Sequence, residues 1–163
     1  MERVQVTIEP ATIRHLRQLL NIERECFTVE AYTEKQVLDL LRNPRAVALL
    51  ARVDCDFAGF IIGLVEDLKN VKLGHIVTID VALSHRRKGI GLMLLKEAEV
   101  IFLQKGVKSI HLEVRADNKS ARRLYRKQGY RQMGSLEDYY SAGAHGLRLV
   151  KQLMRSSDSF CQP

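Results

Sequence analysis

The part of this sequence that most restricts its fold is residues 74–105, where the spacing of apolar side chains changes from that of a strand to that of a helix. Residues 74–83 are β-branched in the middle and predict a strand. Apolar residues then recur at helical spacing over residues 89–105. A short basic loop with Gly89 and Gly91 separates the two elements. Because strands and helices that alternate along a chain pack as layers, this stretch predicts an α/β protein.

The segments on either side of this unit complete the predicted order of elements. Further strands are predicted near residues 3–9, 46–53, 57–66, 109–115, 130–138 and 146–154. Further helices are predicted to begin at Pro10, at the capping box of Thr33 to Gln36, and at Asn118. The resulting order is β-α-α-β-β-β-α-β-α-β-β, in one layered domain over residues 1–155 with a polar tail at residues 156–163.

Composition limits the class of protein. The 163 residues suit one domain, and fractions of 46% hydrophobic and 28% charged residues are ordinary for a globular protein with a core. No apolar run reaches the roughly 18 residues needed to cross a bilayer, and the N-terminus has no signal-peptide pattern. We therefore expect a cytoplasmic protein without a membrane partner. The three cysteines lie far apart and lack metal-ligand spacing, so we expect no disulfide framework and no metal.

The loop before the predicted 89–105 helix has the chemistry of an anion site. A helix N-terminus exposes unpaired N–H groups and a partial positive charge. Glycines at positions 89 and 91 let the backbone approach an anion closely, and Arg86, Arg87 and Lys88 add charge. The net charge of +7 implies an acidic partner, which could be nucleic acid, the ribosome surface or a phosphorylated ligand. The position of the loop favours the phosphorylated ligand, although neither a Walker motif nor a dinucleotide fingerprint is present.

Two motifs in the sequence resemble those of GNAT acetyltransferases. Residues 86–91, Arg-Arg-Lys-Gly-Ile-Gly, match the R/Q-x-x-G-x-G/A signature of that family. Residues 112–130 resemble its L-x-V…N…L-Y…G-F/Y pattern, which includes Asn118, Tyr125 and Tyr130. The resemblance implies the GNAT fold, an α/β (α+β) architecture with a mixed, mostly antiparallel, twisted sheet of about seven strands and about four helices. It also implies acetyl-CoA as co-substrate, with no metal.

In this family the glycine loop binds the pyrophosphate of acetyl-CoA, and the resemblance extends the cofactor site to neighbouring elements. The residues implied are Ile79, Asp80, Val81, Arg86, Arg87, Lys88, Gly89, Ile90, Gly91, Leu92, Asn118, Tyr125 and Lys127. A backbone N–H at a strand bulge around residues 79–81 would stabilise the oxyanion that forms during acyl transfer.

The branch of the family that this chain most resembles contains RimI and the catalytic subunits of the N-terminal acetyltransferases. Residues 74–78 are similar to its G-H-I-x-S segment, residues 26–32 to its substrate loop, and the pair Tyr139-Tyr140 to its paired tyrosines. This resemblance implies a protein N-terminus as the acceptor. The acceptor-binding residues it implies are Phe27, Val29, Glu30, Tyr32, Val77, Tyr139 and Tyr140.

The resemblance also supplies candidates for the catalytic acid and base. Tyr125 is the predicted acid, because a phenol that titrates near 10 can protonate a thiolate whose thiol titrates near 8.5. Three groups stay open as the base that takes the proton of the amine, namely Glu113, His75 and Glu30. We favour Glu113 together with Tyr125, and keep Glu30 and His75 as partners.

Three functions stay open at the level of the sequence. The first is direct transfer of an acetyl group, through a ternary complex, to the α-amino group of a protein N-terminus, with ribosome association as a further expectation. The second is acetylation of a lysine or of a small-molecule amine. The third is a non-catalytic acyl-CoA-binding or ribosome-docking module, against which the presence of Glu113 and Tyr125 argues. We do not expect specific DNA binding.

Overall fold

Seven strands, four α-helices and two 3₁₀ turns make up residues 4–153, the part of the chain that the computed structural model describes. The strands are β1 (Val6–Pro10), β2 (Ala46–Val53), β3 (Asp56–Leu68), β4 (Val71–Val81), β5 (Ser109–Arg115), β6 (Arg131–Ser141) and β7 (Ala144–Gln152). The helices are α1 (Leu16–Cys26), α2 (Glu34–Arg42), α3 (Ile90–Gln104) and α4 (Lys119–Lys127), and the 3₁₀ turns lie at Ile13–His15 and Leu83–His85. The predicted order of elements is confirmed, whereas the predicted polar tail lies outside the described residues.

The strands form one sheet in the order β1-β2-β3-β4-β5-β7-β6. β4 and β5 run parallel, while β1 and β2, β2 and β3, β5 and β7, and β6 and β7 pair antiparallel. The sheet is therefore mixed and mostly antiparallel, as the resemblance to GNAT acetyltransferases implied. Within residues 4–153, no helix is both long and apolar enough to span a membrane.

The described residues cluster into two compact units, one formed by residues 4–64 and 77–98 and the other by residues 65–76 and 99–153. The core of the first unit is aliphatic apart from one phenylalanine and contains Leu19, Leu20, Ile22, Val37, Leu50, Phe60, Ile62 and Ala82. The second unit buries side chains of α3, β5 and β7, namely Phe102, Ile110, Leu112, Val114, Leu147 and Leu149. The expectation of one domain over residues 1–155 stays a prediction.

Element boundaries differ from the predictions by a few residues at several ends, and two of these differences involve Pro10 and Leu83. Pro10 ends β1, whereas the sequence predicted that it opens a helix. Because β1 is an edge strand, a residue without a backbone N–H is tolerated at its end, and α1 begins only at Leu16, after a 3₁₀ turn with Thr12 as its N-cap. β4 ends at Val81, since Leu83 begins the second 3₁₀ turn.

Side-chain caps fix two of the predicted helix starts. The Thr33 hydroxyl accepts a hydrogen bond from the Gln36 N–H at 3.2 Å, and the Gln36 side chain accepts one from the Thr33 N–H at 2.8 Å. Asn118 Oδ1 accepts a hydrogen bond from the Ala121 N–H at 3.1 Å. The starts of α2 and α4 are therefore confirmed, and each satisfies a backbone donor that the helix itself leaves without an acceptor.

Strand β4 has one buried face and one half-buried face. Ile76, Thr78 and Asp80 are buried, whereas Val77 and Ile79 are half-buried, as the two-residue period of a strand requires. The half-buried face therefore leaves room for a ligand, and the buried face packs into the protein.

Gly59 on β3 permits a close approach of the end of β4. A Cβ atom at this position would lie 2.6 Å from the Asp80 carbonyl oxygen and 3.3 Å from the Val81 Cα. Both atoms belong to the backbone, so neither can rotate away. Glycine at position 59 thus fixes the distance between the two strands directly before the basic loop.

We expect Gly59→Ala to lower the free energy of unfolding by about 1–3 kcal/mol, because the added methyl group must displace the backbone of β4. Urea denaturation followed by circular dichroism measures the change. The matched control is Gly134→Ala, since a Cβ atom there meets nothing within 4 Å. The control should change stability by no more than about 0.5 kcal/mol. Equal midpoints for the two variants would contradict the steric explanation.

Candidate active site

The loop that joins β4 to α3 contains three exposed cations, two of which are bound to backbone carbonyl groups. Arg86 Nε donates to the Val81 carbonyl at 3.1 Å, and Lys88 Nζ donates to the Ser84 carbonyl at 3.3 Å. The third, Arg87, has a backbone φ of 65°, in the left-handed region. Arg86 and Lys88 are therefore held in a defined arrangement immediately before α3.

The first turn of α3 completes an anion-binding geometry. Gly89 has a φ of 77°, and a Cβ atom there would meet nothing within 4 Å. The N–H groups of the first helical turn lack acceptors within the helix and lie at the positive end of its dipole. Ile90 buries its side chain, so its backbone N–H is the group that could reach an anion. Open backbone, a helix N-terminus and exposed cations together fit a diphosphate.

The end of β4 is connected to α1 through a cysteine. Cys26 Sγ donates to the Val81 carbonyl at 3.4 Å and accepts a hydrogen bond from Arg86 Nη2 at the same distance. The carboxyl group of Asp80 is buried, with 3% of the residue exposed. Of the predicted cofactor residues on β4, Asp80 could therefore contribute only its backbone, while Ile79 is half-buried.

A cluster of titratable side chains lies where β4 pairs with β5. The parallel register sets His75 opposite His111, and the antiparallel register of β5 with β7 sets Glu113 opposite Arg148. His75 Nε2 lies 2.8 Å from Glu113 Oε2, and Arg148 Nη2 donates to Glu113 Oε1 at 3.0 Å. On the other side of the ring, His75 Nδ1 lies 3.4 Å from Glu66 Oε1.

Glu113 is held in its ionised form. The hydrogen bond from His75 lowers the pKa of Glu113, and the charge of His75 and the hydrogen bond from Arg148 add to this effect, which outweighs burial. Its two carboxylate oxygens each contact one of these partners. A carboxylate in this state orients and neutralises its neighbours but is a weak base.

The two imidazole rings stack, and their pKa values are shifted in opposite directions. Their centroids are 4.4 Å apart and their planes differ by 13°. Burial lowers the pKa of His75, but the hydrogen bond to Glu113 and the charges of Glu113 and Glu66 raise it further, so that the net shift is upward. Burial and the neighbouring His75 lower the pKa of His111. His75 therefore favours the imidazolium form, and His111 the neutral form.

Glu66, His75 and His111 also bring their ligand atoms within 4.8 Å of one another, a spacing that a divalent ion could use. An imidazole binds a metal through a lone pair that lies in the plane of its ring. Because the two rings are nearly parallel, their lone pairs do not converge on one point. The geometry therefore favours a cluster that exchanges protons over one that holds a metal.

Residues 27–33 connect α1 to α2 and form the segment that we call the acceptor loop. The Tyr32 N–H donates to Glu23 Oε1 at 2.9 Å, and the Tyr32 hydroxyl donates to the Val77 carbonyl at 3.5 Å. Val29 is 91% exposed. The loop is thus anchored at Tyr32 and presents Val29 to solvent.

The other predicted acceptor residues are Phe27 and Glu30, which are half-buried in the acceptor loop, and the tyrosine pair of β6. The rings of Tyr139 and Tyr140 meet edge-on with centroids 5.0 Å apart. Burial and the charge of Glu113 raise the pKa of Tyr139, so its hydroxyl stays protonated and can donate a hydrogen bond.

The predicted acid, Tyr125, is a buried residue of α4 with 4% of its surface exposed. Its ring packs edge-on against Tyr130 at 5.5 Å, and the Tyr130 hydroxyl donates to Glu99 Oε1 at 2.9 Å. Lys151 Nζ donates to the second oxygen of Glu99 at 2.7 Å. This packing fixes the position of Tyr125, while Lys127 at the end of α4 is exposed.

The sequence patterns identified two members of the titratable cluster, His75 and Glu113, which the structure brings into contact. They did not assign a role to His111, Glu66 or Arg148. His111 had a visible signal, since it alternates with Glu113 on one face of a strand. Glu66 and Arg148 carry no comparable signal, because they come from strands whose pairing is set by the whole sheet.

Comparison with known proteins agrees with this geometry. Residues 16–130 match the acetyltransferase (GNAT) family. The chain is 31% identical over 145 residues to an N-alpha-acetyltransferase of Sulfurisphaera tokodaii, covering 83% of this chain and 86% of that protein. The crystal structure of Ard1 from Thermoplasma volcanium is similar, with a TM-score of 0.84 and 26% identity over 93% of this chain and 100% of that one. Arabidopsis thaliana NAA60 in complex with acetyl-CoA shares the fold, with a TM-score of 0.80 at 20% identity over 91% and 99% of the two chains.

The chain therefore belongs to the GNAT acetyltransferase family. It is an acetyl-CoA-dependent N-acetyltransferase, and the family resemblance carried by its two sequence motifs is confirmed.

We expect the two stacked histidines to titrate on opposite sides of the ordinary histidine pKa of about 6.5, with His75 above and His111 below. In Glu113→Gln the pKa of His75 should fall, because the ring loses the ionised acceptor of its hydrogen bond. NMR titration of the imidazole Cε1–H resonances measures both values. Asp117→Asn, which removes an exposed carboxylate paired with Arg115, is the control and should leave His75 unchanged. A pKa of His75 below that of His111, or a pKa of His75 that does not change in Glu113→Gln, would contradict this electrostatic arrangement.

Proposed function

We propose that this enzyme transfers the acetyl group of acetyl-CoA to the α-amino group of a protein N-terminus. The observation that supports this proposal is the stacking of the His111 ring on that of His75, whose Nε2 lies 2.8 Å from Glu113 Oε2. A free α-amine titrates near 7.7–8.0, so a mild base suffices to deprotonate it, whereas a lysine titrates near 10.4. The relatives named N-alpha-acetyltransferase favour the same acceptor.

The diphosphate of acetyl-CoA would bind at the first turn of α3. Arg86, Arg87 and Lys88 supply the charge, and the backbone N–H groups of residues 89–92 supply hydrogen bonds. Further along the cofactor, the proposed contacts are the backbone of residues 79–81 and the side chains of Asn118, Tyr125 and Lys127. The bound thioester supplies an activated acetyl group for attack by an amine.

The contacts of Glu113 favour a role other than that of the catalytic base, which the sequence had favoured for it. Because His75 and Arg148 engage both of its oxygens, Glu113 orients the cluster, and the proton of the amine passes to an imidazole. His111 is the ring whose lowered pKa keeps it neutral near pH 7 and ready to accept that proton. The ion pair of His75 with Glu113 holds the neighbouring ring in place.

Departure of the thiolate calls for an acid, and Tyr125 is the proposed donor. A phenol that titrates near 10 is protonated at neutral pH and can hydrogen-bond to a thiolate whose thiol titrates near 8.5. The packing of Tyr125 against Tyr130 restricts its ring to one orientation.

The acceptor peptide would be held by the acceptor loop and the tyrosine pair. Phe27, Val29 and Tyr32 would shape the pocket for the first side chain, together with Val77. Glu30 would bind the positively charged form of the amine, and the protonated hydroxyl of Tyr139 would donate to the peptide backbone, with Tyr140 beside it. Exposed cations of α4 support ribosome association and, with it, a cytoplasmic site of action.

The test is the release of coenzyme A thiol with a panel of short peptides that vary in their first two residues. Matched peptides with a blocked N-terminus and an internal lysine report on side-chain acetylation. We expect turnover of peptides with a free N-terminus, and little or none of the blocked lysine peptides. Activity confined to the blocked lysine peptides would overturn the proposed acceptor.

The same assay, applied to a variant of the proposed base, tests the role of His111. We expect His111→Asn to lower kcat/KM by about 10²–10⁴-fold, because a general base contributes about that much, and to remove the acidic limb of the pH profile. That limb should lie below pH 6.5 in the wild type, since the pKa of His111 is lowered. Glu97→Gln, an exposed change on α3, is the control. An unchanged pH profile in His111→Asn would exclude this residue as the base.

A further inference from the structure

Two carboxyl groups are buried side by side behind the acceptor loop. Glu23 on α1 has 1% of its surface exposed, and Asp80 on β4 has 3%. Neither belongs to the titratable cluster of His75 and Glu113. Burying one carboxylate without a cationic partner is unfavourable, and burying two in contact is more so, because their charges repel.

The hydrogen-bond partners of these groups show a deficit of donors. Glu23 Oε1 accepts a hydrogen bond from the Tyr32 N–H at 2.9 Å. Glu23 Oε2 and both carboxylate oxygens of Asp80 are buried and have no hydrogen-bond partner among the described residues. The two side chains lie within hydrogen-bond reach of each other, but two carboxylates are acceptors only. A bound proton supplies the missing donor.

The surroundings of Asp80 support this assignment of a proton. Burial, then the proximity and charge of Glu23, raise the pKa of Asp80, and these effects outweigh those of the nearby Thr78 hydroxyl and the Arg86 guanidinium. Cys26 on α1 also lies near Asp80, and its pKa is raised by burial and by Asp80, so that it stays a neutral thiol.

We propose that Glu23 and Asp80 share one proton at neutral pH and that this pair positions the acceptor loop for catalysis. Asp80 carries the proton and donates a hydrogen bond to Glu23. Because two carboxyl groups hold one proton, one negative charge remains on the pair, so the hydrogen bond that Glu23 accepts from the Tyr32 N–H is charge-assisted and stronger than one to a neutral acid. The pair acts on the reaction through the loop, and this role rests on the proposed function of the loop as the acceptor site.

The shared proton should make the stability of the protein depend on pH, and this dependence can be measured without a substrate. Asp80 is protonated in the folded protein and ionised once unfolded, so unfolding releases a proton and stability falls as pH rises above the ordinary pKa of a carboxyl group. Asp80→Asn keeps a donor to Glu23 but cannot titrate. We expect urea unfolding between about pH 6 and pH 8 to release one proton fewer in Asp80→Asn than in the wild type.

The control for this measurement is Asp39→Asn, which changes an exposed carboxylate paired with Lys35 and should retain the pH dependence of the wild type. Equal pH dependence in Asp80→Asn and the wild type would overturn the shared proton.

Kinetics tests the positioning role. In Asp80→Ala, Glu23 loses the hydrogen bond from Asp80, so the negative charge of the pair is less well stabilised and the hydrogen bond from the Tyr32 N–H weakens. We expect the KM for a peptide acceptor to rise about fivefold, the equivalent of about one neutral hydrogen bond, while the Kd for acetyl-CoA stays within about twofold. Asp80→Asn should restore the KM to within about twofold of the wild type. Circular dichroism shows whether Asp80→Ala is folded, and Asp80→Leu, which keeps the branched shape of the side chain without its polar atoms, replaces it if it is not.

An unchanged peptide KM in the folded Asp80→Ala or Asp80→Leu variant would overturn the positioning role. Equal rises in the peptide KM for Asp80→Ala and Asp80→Asn would overturn it too, because the restored donor would then have no effect. The proposed function fails separately, if the wild type does not acetylate peptide N-termini, and the unfolding measurement still decides whether the proton is shared.

Discussion

The parallel register of β4 and β5 is the constraint on which the candidate active site depends. It sets His75 opposite His111, and the two-residue period of β5 then places Glu113 on the same face. A shift of one residue would turn this face into the buried layer and bring Val114 outward, since side chains alternate along a strand. The antiparallel register of β7 adds Arg148 opposite Glu113. The cluster is therefore a product of strand pairing rather than of any single loop.

The residues of the cluster differ in charge, and each charge state suits a different chemical role. Glu113 is ionised and engaged on both oxygens, His75 favours its charged form beside it, and His111 is left neutral. Such a site offers only a mild base, which would suffice for the α-amine acceptor that we propose. The Glu23 and Asp80 pair differs from this cluster, because three of its carboxylate oxygens have no hydrogen-bond partner among the described residues and we propose that a proton bridges the two groups.

Local patterns in the sequence were sufficient to predict the glycine loop, the order of elements and the two helix caps, because each of these depends on neighbouring residues. Pro10 was assigned to a helix start, but as the last residue of an edge strand it needs no backbone donor. Asp80 was named for its place beside the glycine loop, yet the alternation of β4 turns its carboxyl group inward, towards Glu23. Arg148, the second partner of Glu113, could not be predicted, since it reaches Glu113 only through the pairing of β5 with β7.

The central claim is that the acceptor amine loses its proton at the stacked histidines. The most direct measurement is a crystal structure of the enzyme with a bisubstrate compound, in which an acetyl linker joins coenzyme A to the N-terminus of a short peptide. We expect the nitrogen of the linked N-terminus to lie within hydrogen-bond reach of an imidazole of His75 or His111, directly or through one water molecule. A nitrogen that lies out of reach of both rings, with the peptide bound elsewhere, would contradict the claim.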